Sequence, residues 1–181
     1  TTPDAGLFNG LSSGVAIAGT PVVALQGDVR ITGQGADLSA LASNAEFMKQ
    51  ALASSNSATV GASHGVILAA SNVTAGTGRR VDTSGQAGSN GLPMNRDPAT
   101  GAETVVLNTA AATGVSVTAS GDQGTIRAEG GQVTLNAQGG DLQLGYADNS
   151  ASAQALKLVD VSSTTRKGGI IDIGGRNIHV S

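Results

Sequence analysis

Few side chains in this sequence could carry out chemistry, and they are scattered. His64 and His179, the two histidines, lie far apart among small polar residues. They cannot form a local metal site, and both are expected to be ordinary surface side chains. Ser116 and Ser120 have no neighbouring pattern of histidine and aspartate, so nucleophilic catalysis has no support. The chain contains no cysteine, which excludes disulfides and cysteine-based metal sites.

Four acidic residues lie near the turns of successive predicted strands: Asp122, Glu129, Asp141 and Asp148. They could align on one flank, as in carbohydrate-cleaving β-helices or calcium-binding turns. However, aspartate also favours turns for structural reasons. The segment GGDLQLGYAD lacks the G-G-x-G-x-D order of the calcium-binding nonapeptide repeat. We therefore predict no catalytic residue, no metal and no cofactor, and a protein that is not an enzyme.

Short runs of alternating apolar and polar residues dominate the stretch from Gly114 to Val180. They read GVSVTAS, GTIRAEG, GQVTLNAQ, GDLQLGYA, GGIIDIGG and RNIHVS. Since side chains alternate between the two faces of a strand, each run places two apolar residues on one face. The expected buried pairs are Val115 and Val117, Ile126 and Ala128, Val133 and Leu135, Leu142 and Leu144, Ile171 and Ile173, and Ile178 and Val180. The same pattern predicts strands within 14–35 and 65–76.

The spacing of these runs restricts the architecture. Successive apolar pairs recur after about seven to eleven residues, which is too short for the crossover helices of a doubly wound sheet. An antiparallel sandwich or barrel and a coil of stacked strands both remain. Aromatic residues make up 2% of the chain, and sandwiches usually need larger core side chains. The prediction is an all-β fold, a right-handed parallel β-helix or solenoid that forms a single domain over 1–181.

Two segments interrupt the strand pattern. Leu38, Leu41, Ala45, Met48 and Leu52 recur at spacings of three and four, with Asp37 placed to cap the start. This pattern predicts one short helical insertion at about 38–53, whose apolar stripe serves packing. The segment at about 84–103 is rich in Gly, Asn and Pro and is expected to be a long irregular loop. It supplies our receptor- or glycan-contact candidates: Asn90, Leu92, Met94, Asn95, Arg96 and Asp97.

Composition limits the partners of the chain. The formal net charge is −3, and the ten Lys and Arg residues are scattered, so nucleic acid is not expected to bind. No stretch approaches the roughly 20 apolar residues of a membrane-spanning helix. The N-terminal sequence TTPDAGLFNG lacks the features of a signal peptide. The chain ends on the strand-like RNIHVS without a capping sequence, which predicts a fragment of a longer solenoid.

Two segments resemble a known family. The sequence GTIRAEGGQVTLNAQGG at 124–140 is similar to a repeat of filamentous-haemagglutinin-like exoproteins of bacterial two-partner secretion. The sequence VDVSSTTRKGGIIDIGGRNIHVS at 159–181 resembles the companion pattern of those shafts, and 81–91 resembles a less complete copy. The Asn-Pro-Asn motifs of that family's amino-terminal secretion domain are not found. The resemblance covers about a third of the chain and implies a piece of the shaft beyond that domain.

The expected function follows from this resemblance. It implies a structural and adhesive segment of a secreted bacterial cell-surface exoprotein, a virulence-associated adhesin. Its implied partners are an outer-membrane secretion protein and a receptor or glycan on a host or bacterial surface. Self-association through open β-helix ends is a further expectation. Two alternatives remain: a β-helical polysaccharide-degrading enzyme or phage tailspike, and a self-assembling filament subunit.

Overall fold

The computed structural model describes residues 12–37, 59–88, 90–96, 103–105, 113–147 and 157–181. All regular structure in these residues is β-strand. The helix predicted at 38–53 lies outside the described residues and stays a prediction. The strands are β1 (Ser12–Ala18), β2 (Val22–Val23), β3 (Val29–Gln34), β4 (Thr59–Ala69), β5 (Val73–Thr74), β6 (Arg80–Gln86), β7 (Asn90–Arg96), β8 (Glu103–Val105), β9 (Thr113–Ala119), β10 (Ile126–Arg127), β11 (Gln132–Gln138), β12 (Asp141–Tyr146), β13 (Val159–Asp160), β14 (Ile170–Gly174) and β15 (Ile178–Val180).

Thirteen of these strands form three parallel sheets, which the chain visits in a fixed order. Sheet 1 contains β1, β4, β9, β12 and β15. Sheet 2 contains β2, β5, β10 and β13, and sheet 3 contains β3, β6, β11 and β14. Each of four successive passes of the chain contributes one strand to each sheet. The predicted all-β class is therefore confirmed, with parallel sheets.

Aliphatic residues from successive passes lie beside one another because the strands pair in register. In sheet 1 the first inward row is Val15, Val66, Val115, Leu142 and Ile178. In sheet 2 it is Val22, Val73, Ile126 and Val159, and in sheet 3 it is Val29, Val81, Val133 and Ile171. Buried members of all three rows belong to one hydrophobic cluster. The three sheets therefore enclose a common core made of β-branched residues and leucine.

The buried pairs predicted from alternation are confirmed for β9 to β12. Their apolar side chains are at most 7% exposed. The pairs on β14 and β15 differ: Ile171, Ile178 and Val180 are 46%, 50% and 73% exposed. These strands are the last in their sheets among the described residues, so no further strand covers them. The side chains of these strands alternate as predicted, but the predicted burial of Ile171, Ile178 and Val180 is wrong.

Glycine permits the close approach of the end of sheet 3 to the start of sheet 1. A Cβ on Gly85 would collide with the carbonyl oxygen of Gly114, and a Cβ on Gly65 would meet the same oxygen. The apolar runs GVILAAS and GVSVTAS begin with glycine at this corner because a side chain would force the backbones apart.

The chain crosses from sheet 3 to sheet 1 at this corner by connections of very different length. Only Gly139 and Gly140 separate β11 from β12, whereas long excursions separate β3 from β4 and β6 from β9. Backbone hydrogen bonds join the bases of the two excursions: the Gly35 amide donates to the Gln86 carbonyl, and the Gly88 amide donates to the Ser63 carbonyl. The described ends of the two long connections therefore lie next to each other.

The prediction of an irregular loop at about 84–103 is wrong for much of its length. Strand β6 continues to Gln86, and β7 and β8 occupy 90–96 and 103–105. The residues of β7 up to Pro93 pair antiparallel with the start of β4, and those from Met94 pair antiparallel with β8. Pro93 ends one pairing, where a missing amide donor disturbs a ladder least. The Gly, Asn and Pro content of the segment at about 84–103 argues against a central strand. It does not prevent a short antiparallel ribbon formed by β7, β8 and the start of β4.

Candidate functional site on the outer face of sheet 2

A row of polar residues crosses the outer face of sheet 2. Its strands are two residues long, and their first residues, such as Val73 and Ile126, lie in the core. The second residues therefore face outward. The register pairs Arg127 with Thr74 on one side and with Asp160 on the other. Three passes of the chain place these side chains next to one another.

Asp160 is the centre of a hydrogen-bonded network, although it is only 8% exposed. One guanidinium nitrogen of Arg127 donates to its Oδ2 at 2.6 Å. Its Oδ1 accepts hydrogen bonds from the Ser162 amide at 3.0 Å and from the Ser162 hydroxyl at 2.5 Å. The other terminal nitrogen of Arg127 lies 3.6 Å from a carboxylate oxygen of Glu129. The Arg127 side chain is therefore held at two points while 43% of it remains exposed.

These contacts keep Asp160 ionised. The hydrogen bond from the Ser162 hydroxyl lowers its pKa most, and burial opposes this. The Ser162 amide and the positive charges of Arg127 and Lys157 lower it further, so the pKa lies below the usual range. Asp160 is therefore a carboxylate that fixes Arg127 at all but strongly acidic pH.

Asn72 fixes the turn that borders this row. Its side-chain oxygen accepts hydrogen bonds from the amides of Gly124, at 2.9 Å, and Thr125, at 3.1 Å. Its side-chain nitrogen donates to Gln123 at 2.8 Å. Asparagine can satisfy backbone donors in this way, so one side chain of the second pass orders the turn of the third.

Together these residues line an open cleft of about 450 Å³. Three uncharged polar residues contribute to it, namely Asn72, Thr74 and Thr125. The remaining lining residues are charged, namely Asp122, Arg127, Lys157 and Asp160. Two positive and two negative charges cancel, and none of the seven is aromatic. The side chains that line the cleft can both donate and accept hydrogen bonds, and their summed charge produces no strong electrostatic field.

A second charged cluster lies on sheet 1 around Asp141. Asn177 donates a hydrogen bond to its Oδ1 at 2.9 Å, and Arg176 and His179 lie 3.7 and 3.4 Å from its carboxylate oxygens. Partial desolvation raises the pKa of Asp141. The contacts with Asn177, His179 and Arg176 together lower it by more, so the net shift is downward. This cluster holds β15 and the turn before it against β12.

The residues singled out in the sequence fall in different places. Asn90, Leu92, Met94, Asn95 and Arg96 lie on β7 rather than on a loop, and Asp97 lies outside the described residues. Their contact with a receptor or glycan stays a prediction.

Of the four acidic residues singled out, the three that the structure describes, Asp122, Glu129 and Asp141, do not all lie on one sheet. Asp122 and Glu129 adjoin sheet 2, Asp141 begins β12 in sheet 1, and Asp148 lies outside the described residues. In the described ranges, no three His, Asp or Glu side chains are grouped so that they could hold a metal ion.

The histidines behave differently from each other. The His179 side chain is 59% exposed, as expected for a surface residue. His64 departs from that expectation: it is half-buried, and its Nδ1 is buried with no hydrogen-bond partner in the described part of the chain. Burial lowers the pKa of His64. It occupies the same strand face as the inward-facing Val66 and Leu68, so the alternation of β4 turns it away from solvent.

The pairing of Arg127 with Asp160 is not predicted by any pattern in the sequence. The two residues are 33 positions apart, and no local pattern links them.

The comparisons identified no relatives, since no family model, curated protein or solved structure matched the chain. Within the part of the chain that the structure describes, we find no helix of the length and apolarity needed to cross a bilayer.

Proposed function

We propose that the chain is a right-handed parallel β-helix, in which each pass through sheets 1, 2 and 3 is one coil. The observation that supports this most directly is the in-register alignment of aliphatic rows in all three sheets around one core. Connections between parallel strands are right-handed in about 98% of cases, which supports the handedness.

Cysteine pairs can test this arrangement, because the chain has no cysteine of its own. Ser116 is paired with Gln143 in sheet 1, and Asp82 is paired with Thr134 in sheet 3. Both double-cysteine variants should form an intramolecular disulfide on mild oxidation, since neighbouring strands bring the Cα atoms within the bonding range. The matched control, Ser116→Cys with Asp82→Cys, joins different sheets and should not. Equal oxidation of all three variants would contradict the proposed stacking.

We further propose that this β-helix is a rigid shaft segment of a secreted bacterial cell-surface adhesin that displays a binding ribbon. The continuous register supports the role of a shaft, because sheets 1 and 3 stay aligned on both sides of each long excursion. The antiparallel ribbon of β7, β8 and the start of β4 supports display, because it extends sheet 1 through residues 59–62 of β4, ahead of the residues that pair in parallel. Secretion by an outer-membrane partner rests on the family resemblance.

Binding of the labelled 181-residue chain to epithelial and bacterial cells tests the adhesive role. The ribbon variant would replace Asn90, Asn95 and Arg96 with alanine. The control would replace Arg30, Gln34 and Gln86, exposed residues on the outer face of sheet 3, with alanine. We expect the ribbon variant to lose binding at least tenfold and the control to retain it. Equal binding by the two variants, or no binding to either cell type, would refute the proposed contact site.

A filament subunit is a second candidate, favoured by one observation. Ile170, Ile171, Ile178 and Val180 expose aliphatic surface on the last strands of sheets 3 and 1. Such edges pair readily with another strand. If the chain stacks end to end, light scattering should show a mass that rises with concentration, and Ile171→Lys should abolish the rise. A constant monomer mass would exclude this candidate. The polysaccharide-degrading alternative has less support, because Glu129 and Asp141 are engaged in ion pairs.

A further inference from the structure

We infer that the cleft on the outer face of sheet 2 binds an uncharged sugar unit through its hydroxyl groups. This site is distinct from the ribbon of β7 and β8 and does not depend on its proposed adhesive role. Three features of the cleft favour such a ligand: its balanced charge, the free hydroxyl groups that line it, and the rigidity of its walls.

The charge balance selects a neutral ligand. The lining residues carry two positive charges, on Arg127 and Lys157, and two negative charges, on Asp122 and Asp160. A carboxylate or phosphate would meet as much repulsion as attraction, and a cation would meet the same difficulty. Hydroxyl groups both donate and accept hydrogen bonds, so they can bond to the cations and the aspartates together. Charged partners make such hydrogen bonds stronger than neutral ones.

Several lining groups remain available for a ligand. In the part of the chain that the structure describes, the side chains of Thr74, Thr125 and Lys157 have no hydrogen-bond partner. Arg127, in contrast, is anchored by Asp160 at 2.6 Å and by Glu129 at 3.6 Å, and still exposes 43% of its side chain. The cleft thus combines free hydroxyl and ammonium groups with one fixed guanidinium.

The walls of the cleft are ordered before a ligand arrives. Thr74, Arg127 and Asp160 are held by strand pairing across three passes, and Asn72 orders the turn that carries Thr125. Binding therefore need not order these groups, which reduces its entropic cost. The cleft of about 450 Å³ falls within the size range of small-molecule sites. Because no lining residue is aromatic, the ring faces of a sugar gain no stacking, and we expect weak affinity, with a Kd on the order of 1 mM.

Saturation-transfer NMR on the intact chain tests this assignment. The probes are the methyl glycosides of glucose, galactose and mannose, with glucuronate and glucosamine as charged comparators. We expect saturation transfer to at least one neutral glycoside, with shifts of the Thr74, Thr125 and Arg127 amide signals in a ¹H–¹⁵N titration. Failure of all three neutral glycosides to bind, or preferential binding of glucuronate or glucosamine, would overturn the proposal.

Substitution of the hydroxyl groups provides the matched comparison. The double variant Thr74→Val and Thr125→Val keeps the branched shape of both side chains and removes two hydrogen-bonding groups. We expect it to weaken binding at least fivefold. Thr32→Val, an exposed position on sheet 3, should leave binding unchanged. Unchanged binding in the double variant would refute the site. If that variant does not fold, shifts confined to residues outside sheet 2 in the unaltered chain would refute the site equally well.

Discussion

Replacing Thr83 with valine is expected to stabilise the protein. Thr83 is fully buried, and its hydroxyl has no hydrogen-bond partner among the residues that the structure describes. It lies in the second inward row of sheet 3, between Ile31 on one side and Leu135 on the other. Its neighbours in this row are aliphatic, so the hydroxyl is removed from water without a compensating hydrogen bond from them.

The size of the effect follows from this unsatisfied hydroxyl. A buried polar group without a partner costs about 1–3 kcal/mol, and valine replaces the hydroxyl with a methyl group of similar size. We therefore expect Thr83→Val to raise the free energy of unfolding by about 1–2 kcal/mol. For a chain of 181 residues this corresponds to a rise in Tm of roughly 2–8 °C.

Thermal and urea unfolding followed by circular dichroism measure this change. Thr32→Val is the control, because it introduces the same side chain at an exposed position of the same sheet and accounts for the higher strand preference of valine. The difference between the two variants isolates the buried hydroxyl. A Tm of Thr83→Val equal to or below that of Thr32→Val would show that Thr83 has a hydrogen-bond partner or a different environment.

Three further predictions concern packing and pH. Gly85→Ala should lower the free energy of unfolding by about 3 kcal/mol or more, because the added Cβ would collide with the backbone. In the control Gly27→Ala the added Cβ meets no atom, so the free energy of unfolding should change by less than about 0.5 kcal/mol. Urea titration of the two variants measures the difference. Burial lowers the pKa of His64, so as pH falls the unfolded chain binds a proton at this residue before the folded chain does. The free energy of unfolding should therefore fall as pH drops below about 6.5. Tm measurements from pH 5 to 8 test this, and His64→Leu should remove the dependence of Tm on pH that His64 causes. Asp160→Ala should cost about 2 kcal/mol at pH 7 and progressively less as pH falls below about 4. A carboxylate with a lowered pKa contributes its full stability above the unfolded pKa and loses it as pH falls through the folded pKa, so a pH-independent cost would contradict the ion pair.

The strands were predictable from the sequence because alternation alone determines which face of a strand is apolar. Val115 and Val117 illustrate this, since both are buried as their spacing predicts. The short distances between strands also excluded crossover helices, which left a parallel stack as one of two solutions. Where a strand lies at the end of a sheet, as for Val180, alternation gives the face and not the degree of burial.

The candidate site was not predictable, because its parts come from different passes of the chain. The pairing of Arg127 with Asp160 depends on the register between β10 and β13, which a single sequence does not specify. The same applies to β7, whose partner is the start of β4. The inward position of His64 follows from the register of its own strand, but a lone histidine among small residues gave no sign that its strand face was the buried one.

The corner between sheets 3 and 1 has a practical consequence for protein engineering. Both a two-residue crossing at Gly139 and Gly140 and two much longer connections return the chain to sheet 1, the short one with a register shift between Asp141 and Leu142. The length of this connection is therefore decoupled from the fold. A foreign peptide spliced between Gly139 and Gly140 would be carried on the outside of the sheets, and the chain would then serve as a scaffold for epitope presentation.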